Sequence, residues 1–338
     1  MSNRSNRTLV ANVFIALAIG ALVAVYFLPV WWVALTAPNY PEEAFPDGVR
    51  INFHMNGVFN GCEKVEKKEI QESEALDCVH EMDTINHYVG MYPIAAGGVI
   101  EKAFSPFLVS LLIVMLIGFM FVNPRYRLIT MSVGFGIIAV WMAMTWYGPN
   151  GLKYQSSGYT EALVAALDQD TEKDSGSKIQ IGFGIVERLR DSLEESGVEI
   201  EGEKTTVSSD DGLGDSEKAD SIRHLQATFE NYMKRQPSDQ VQEWNGSGSQ
   251  VMAWHYKASL GRYFNNPAEI LPMVKTMSAV SQMVFWGILA AMLLLLWGAR
   301  ENRGPIYWLL ILVPMALPVF FIIEYSGWLW WYGHSLNE

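Results

Sequence analysis

Five long apolar runs interrupt this sequence, and none of them contains a lysine or an arginine. A bilayer core is about 30 Å thick, and a helix of roughly 20 apolar residues crosses it. A water-soluble fold of 338 residues does not need several uncharged runs of this length. The sequence therefore predicts an all-α membrane protein with five transmembrane helices, at Thr8–Leu28, Pro106–Val122, Leu128–Tyr147, Ala279–Trp297 and Pro305–Tyr325.

The first run shares with signal peptides the two arginines, Arg4 and Arg7, that precede it. It is too long for a signal peptide, whose apolar part usually spans about 7 to 15 residues. No small-residue cleavage site follows it. Trp31 and Trp32 follow instead, as aromatic residues do where a helix leaves the hydrocarbon. We expect residues 1–28 to be an uncleaved N-terminus with the first transmembrane helix.

The short connections between the runs are rich in arginine, which predicts the orientation of the chain. One topology places three arginine pairs on the same side of the membrane, namely Arg4 with Arg7, Arg125 with Arg127, and Arg300 with Arg303. The positive-inside rule makes that side the cytoplasm. We therefore expect a cytoplasmic N-terminus, and a C-terminus on the outer face together with the two larger connections.

The two larger connections differ in character. Residues 29–105 form a first outer loop, and residues 148–278 are long enough for a small acidic domain. Apolar residues recur in this domain at helical spacing, which predicts a mostly helical fold, at Val186, Leu189 and Leu193 and at Ile222, Leu225, Phe229 and Met233. Residues 199–220 are rich in Glu, Asp, Ser and Gly and predict a mobile linker. The helix hairpins 106–147 and 279–338 complete the chain.

The charge of the chain limits which partners it can bind. The chain has 36 acidic and 24 basic residues, and of the acidic residues only Glu301 is clearly cytoplasmic in the predicted topology. An acidic outer face does not suit nucleic acid, so no nucleic-acid partner is expected. It suits solubility, cations or a basic partner. No phosphate-binding loop, nucleophile elbow or paired-cysteine zinc motif occurs, so the sequence gives no reason to expect an independent enzyme.

The first outer loop concentrates residue types that bind copper. Three His, three Met and two Cys lie within a short stretch, at His54, Met55, Cys62, Cys78, His80, Met82, His87 and Met91. Thioethers and thiolates prefer Cu(I), and imidazole suits either oxidation state of copper. The cluster therefore makes copper the expected metal, and the alternative is that these side chains only pack the loop.

Helical geometry supports the cluster. If residues 76–90 form a helix, His80 and His87 lie on one side of it, and His87 and Met91 are neighbours one turn apart. Cys62 and Cys78 have two possible roles. On an oxidising face they form a disulfide that closes a loop of about 17 residues, and in the reduced state they can join a metal site.

Three segments resemble motifs of a poorly characterised family of bacterial membrane proteins. Residues 37–42 have the sequence A-P-N-Y-P-E, similar to the family's A-P-x-Y-P-E. Residues 86–91, N-H-Y-V-G-M, are similar to its N-H-Y-I-G-M, and residues 332–334 match its Y-G-H. The family is associated with gene neighbourhoods of copper respiratory proteins, notably accessory functions of nitrous-oxide reductase. The resemblance implies a bacterial inner membrane location.

The resemblance also implies which residues matter, since His87, Met91 and His334 occupy the matching motif positions. The acidic insert of residues 156–265 and the Cys62–Cys78 pair depart from the family's pattern. The resemblance covers the first three helices and the C-terminal tail.

Two functions follow as expectations. In the first, this is a copper-binding accessory protein, with His87 and Met91 as ligands and a shell completed from His80, His54, Met55, Met82 or His334. Its partners would be membrane lipid and a membrane or periplasmic redox protein. In the second, it is a non-catalytic docking subunit of a membrane oxidoreductase or monooxygenase. Transport is disfavoured, because no charged residue is expected at mid-depth.

Overall fold

The structure is a computed structural model that describes residues 2–36, 45, 47–62, 78–88, 97–167, 213–261, 267–300 and 305–335. Five of its helices are long and apolar enough to cross a membrane, at Leu9–Phe27, Val99–Phe119, Pro124–Tyr147, Ile270–Ala299 and Leu309–Trp331. This confirms the predicted class, an all-α multi-pass membrane protein.

The described helices are nine α-helices and two short 3₁₀ helices. In chain order the α-helices are α1 Ser2–Phe27, α2 Cys78–Tyr88, α3 Val99–Phe119, α4 Pro124–Tyr147, α5 Ser157–Leu167, α6 Leu213–Lys234, α7 Gly248–Gly261, α8 Pro267–Ala299 and α9 Leu309–Ser335. The 3₁₀ helices are Gly151–Tyr154 and Pro305–Trp308. Three strands lie between α1 and α2: β1 Trp31–Leu35, β2 Val49–His54 and β3 Gly57–Asn60.

Two membrane helices begin earlier than their apolar runs. Helix α3 begins at Val99 rather than Pro106, and α8 begins at Pro267 rather than Ala279. Pro106 therefore lies inside α3, where its missing N–H leaves the Lys102 carbonyl without its usual donor. The Ser105 hydroxyl donates to that carbonyl instead, at 2.9 Å. This local bond lets the helix pass through proline, which hydropathy alone does not reveal.

The sheet was not among the predicted elements. Its strands are antiparallel in the order β1-β2-β3, with Trp31 opposite Phe53 and His54 opposite Gly57. Strand β2 alternates buried and half-buried side chains, with Val49 and Ile51 fully buried. That alternation is the period of a strand with one covered face.

Helix α2 covers the sheet. It confirms the helix expected within residues 76–90, with slightly shorter bounds. A small apolar core joins the two layers, consisting of Phe45, Val49, Ile51, Val58, Cys78, Val79, Met82 and Ala166. Ala166 comes from α5, so the sheet and α2 pack on the segment that follows α4. We call the side with the sheet, α2 and α5–α7 the domain side.

The main core runs through the membrane helices into the domain without a break. It includes Phe104 and Trp146 of the membrane helices together with Leu163, Phe229 and Trp254 of the domain helices. Helix α3 packs against α1 and α4, α7 packs against α8, and α8 packs against α9. Domain and membrane bundle therefore share one hydrophobic core.

Helix α6 corrects one predicted boundary. It begins at Leu213, so residues 213–220 of the predicted linker are helical, whereas residues 199–212 lie outside the described residues. Acidic residues near its start suit the positive end of a helix dipole. Its apolar stripe is buried as predicted, at Leu225, Phe229 and Met233. The stripe Val186, Leu189 and Leu193 lies outside the described residues.

An arginine joins two helices on the opposite side of the membrane, which we call the arginine side. Arg127, near the start of α4, donates from Nε and from an Nη to the carbonyl of Ala299, at 3.1 and 2.8 Å. Ala299 is the last residue of α8, so its carbonyl has no partner inside the helix. The guanidinium satisfies this carbonyl and suits the negative end of the helix dipole.

Candidate functional site

The candidate site is α2 with the polar groups that surround it at the domain-side boundary of the membrane. Cys62 and Cys78 form a disulfide, with their Cα atoms 6.0 Å apart. The disulfide confirms the expected pairing. It ties the first residue of α2 to the end of β3, and it removes both sulfurs from the list of metal ligands.

One side of α2 is turned towards the sheet. Cys78, Val79 and Met82 are buried there in the small apolar core, and Asn86 is buried one turn further on. The thioether of Met82 has apolar neighbours in this core. We therefore assign Met82 to packing rather than to the copper shell, for which it was one of the candidate ligands.

The remaining predicted ligands of α2 keep their backbone positions. His80 and His87 both lie within the helix, seven residues apart, and so share one side of it. His334 lies in the last turn of α9. The side chains of these three histidines, and the whole of Met91, lie outside the described part of the chain.

His54 stands at the end of β2, beside the domain-side end of α1. Its ring meets the edge of Phe59, with centroids 5.0 Å apart, and it donates a hydrogen bond to the Phe27 carbonyl. Burial lowers the pKa of His54, and the bond to Phe27 opposes that shift. Met55 follows in the two-residue turn between β2 and β3 and is half-buried. The His54 ring therefore already has structural partners in Phe59 and Phe27.

The lowered pKa of His54 predicts a pH dependence. Because the fold favours the neutral imidazole, its contribution to stability is complete above the unfolded pKa of about 6.5 and is lost as pH falls through the lower folded pKa. We expect the thermal stability of the wild type to fall on acidification, and the thermal stability of His54→Gln to fall less. Thermal unfolding at about pH 8 and about pH 5 measures the difference. Equal pH slopes in the two proteins would contradict the assignment.

Two buried ionisable residues lie near each other where α2 approaches the membrane helices. Asp83 of α2 is 3% exposed and Lys102 of α3 is 4% exposed, and the charge of Asp83 acts on the Lys102 ammonium group. The Lys102 Nζ has no hydrogen-bond partner among the described residues. The two groups therefore interact through space without a direct hydrogen bond, and α2 is fixed mainly by its packing on the sheet.

Next to this pair lie two further carboxyl groups. Glu101 of α3 and Glu324 of α9 lie close enough for their carboxyl groups to interact. The predicted last run ended at Tyr325, one residue after Glu324, but α9 continues to Ser335 and its apolar span to Trp331. Glu324 therefore lies inside the span, about 10 Å from its end. Ionisable residues at such positions are frequently functional.

Uncharged polar groups complete this layer. The Tyr26 hydroxyl of α1 lies near the side chains of Ser105 and Ser156. Asn56, in the turn of the sheet, donates to the Ser156 hydroxyl at 3.4 Å. Gln155 donates from Nε2 to the Ala103 carbonyl at 3.1 Å. We call these residues, together with Asp83, Glu101, Lys102 and Glu324, the boundary polar layer.

Only a weak signal for this layer is present in the sequence, because its members come from six separate elements. Glu101 and Lys102 precede the apolar run of α3, and Tyr26 and Glu324 stand near the ends of theirs. Their proximity depends on which helices are neighbours. Among the residues that the structure describes, no three His, Cys, Asp or Glu side chains are grouped closely enough to hold a metal ion.

Comparison with known proteins adds no further identification. No family model, curated protein or solved structure matches this chain.

Proposed function

We propose that this protein is a membrane-anchored, copper-binding accessory protein that presents a His/Met site to a copper-dependent oxidoreductase. His87 and Met91 would be the principal ligands, and His80 and His334 would complete the shell. The observation that supports this most is the fixed position of α2. A disulfide and a buried apolar side hold it on the sheet.

The ligand types fit this role. Imidazole binds both Cu(I) and Cu(II), and a thioether favours Cu(I), so a His/Met site can hold copper in either state without a thiolate. His87 and Met91 are four residues apart in sequence, the spacing of neighbouring side chains on a helix, and the described part of α2 ends at Tyr88, between them. His80 and His87 are about 10 Å apart along the helix axis. They can therefore bind the same ion only if their imidazoles point towards each other along the helix.

The proposal includes a location. We place the protein in the inner membrane of a bacterium, with the arginine side in the cytoplasm and the domain side in the periplasm. The arginines of the short connections and the disulfide on the domain side both support this orientation. A reporter that is active only in the periplasm should be active when fused after Glu338. Activity of a cytoplasm-only reporter at that position would contradict it.

The copper hypothesis is tested by His87→Ala. We expect the variant to insert and fold as the wild type does, and to lose most of its bound copper after purification from copper-replete cells. The matched control is His224→Ala, which changes a histidine of α6 outside the cluster and should leave copper content unchanged. Copper per chain is measured by elemental analysis, and thermal stability is measured with and without a chelator.

Two results would contradict the proposal. One is a wild-type protein that carries no copper and whose thermal stability changes with neither copper nor chelator. This result would exclude a copper site. A His87→Ala protein that is unstable in both conditions would identify His87 as a packing residue.

The second candidate, a non-catalytic docking subunit, is favoured by a different observation. Only 6% of the α1 span and 11% of the α9 span are buried, against 56% for α3. Both helices therefore offer long apolar surfaces to lipid or to the helices of a partner. Stoichiometric co-purification of a membrane redox protein, with no copper in the purified chain, would favour this candidate.

A further inference from the structure

Between α8 and α9 lies a recess of about 300 Å³ that opens sideways from the bundle. Every residue that lines it is apolar, including Val284, Gly287, Ala291, Val313, Leu317 and Phe321. All of these residues belong to the membrane-spanning parts of the two helices. Apolar cavities do not hold water well, so hydrocarbon is the expected content of the recess.

Gly287 gives independent evidence of open space. A Cβ atom added at Gly287 would meet no atom within 4 Å. The neighbouring side chains of Met283 and Phe320 are exposed, so the recess is accessible from the surrounding lipid.

The size of the recess distinguishes a lipid chain from a protein helix. A transmembrane helix is about 10 Å across, so a volume of 300 Å³ holds less than one of its turns. A helix can cover the recess but cannot enter it. A narrow, flexible hydrocarbon chain can lie along it.

Charge indicates which kind of lipid is bound. The recess begins at Leu294, about 9 Å along the helix axis from Arg300 at the arginine side. Half of the hydrocarbon core is about 15 Å thick, so a chain that enters the recess starts from a headgroup at the level of Arg300. Arg300 is exposed, and exposed Trp297 and Trp308 mark the interface at this end.

We propose that the recess between α8 and α9 binds one acyl chain of an anionic phospholipid from the arginine-side leaflet, with its phosphate at Arg300. The bound lipid fills the space between two helices that would otherwise lack contacts there. The proposal is independent of the copper site, because the recess and α2 share no residue.

The test uses the full chain in vesicles of phosphatidylcholine with a minor fraction of phosphatidylglycerol. In one experiment the phosphatidylglycerol carries a photoreactive diazirine in its acyl chain, and in a second the phosphatidylcholine carries it. After illumination, labelled residues are identified by peptide mass spectrometry. In the wild type we expect labelling by phosphatidylglycerol to be enriched at Ala290 and Leu317 relative to the exposed surface of α4.

Two matched pairs of variants separate the chain from the headgroup. Gly287→Phe fills the recess and should reduce label at Leu317 to the level of an ordinary lipid-facing position. Gly136→Phe changes an equally open glycine of α4 and should leave the label at Leu317 unchanged. Arg300→Gln should lower the preference for phosphatidylglycerol over phosphatidylcholine about threefold, as expected for the loss of one exposed ion pair. Arg125→Gln changes an exposed arginine on the same side and should leave this preference unchanged.

Several outcomes would overturn the proposal. One is equal wild-type labelling of the recess and of α4, and another is full labelling in Gly287→Phe. A headgroup preference that survives in Arg300→Gln would overturn the assigned phosphate position. Efficient disulfide cross-linking of Cys variants at Ala290 between two copies of the chain would show that protein covers the recess instead.

Discussion

Asp83→Asn is expected to lower the free energy of unfolding by about 1 to 3 kcal/mol, because the buried Lys102 loses the opposite charge that acts on it. Lys102 lies on α3, and its Nζ has no hydrogen-bond partner among the described residues that could replace this interaction. Because Asp83 lies on α2, the loss should first appear as release of α2. Hydrogen exchange of the α2 amides measures the release, and unfolding in a denaturing detergent measures the total effect.

The double variant Asp83→Asn/Lys102→Met provides the control. Replacing both members of a buried ion pair by neutral residues is often close to neutral in stability. We therefore expect the double variant to recover most of the unfolding free energy that Asp83→Asn loses. A double variant as unstable as the single one would show that Asp83 acts through another contact.

Arg127→Met is expected to destabilise the protein by about 3 kcal/mol, within the range for hydrogen bonds from a charged donor. The change leaves the Ala299 carbonyl at the end of α8 without the two N–H groups that satisfy it. Arg125→Met is the matched control, because it removes the same charge from the same connection. The Arg125 side chain is exposed, so its replacement should change stability little.

The two variants also separate stability from topology. Both arginines contribute equally to the positive charge of the connection, so any effect on orientation should be similar for both. Stability in a denaturing detergent should differ sharply between them. Equal losses in the two variants would show that the bond to Ala299 contributes little.

Features that depend on local sequence were predicted well. Hydropathy found the five spans, and helical spacing found α2 and the buried stripe of α6. The Cys62–Cys78 disulfide was predicted from the chemistry of an oxidising face. In each case the signal lies within about twenty residues of sequence, where periodicity and loop closure are informative.

Features that depend on neighbours distant in sequence were missed. The sheet pairs β1 with β2 across a long loop, and the boundary polar layer assembles side chains from six elements. Arg127 was counted only as a charge on the inner side, yet its guanidinium is 4% exposed and bound to α8. Met82 is of a residue type that binds copper, and its burial could be known only once the sheet was found.

The common core of domain and membrane bundle has a practical consequence for biochemistry. The base of the domain is bonded to the membrane helices, for example from Trp141 to the Tyr154 carbonyl at 2.8 Å. Residues 148–266 produced alone in water would therefore expose the apolar surface of α7 that now packs on α3, α4 and α8. We expect such a fragment to aggregate rather than fold, so ligand and partner studies call for the full chain in detergent or nanodiscs.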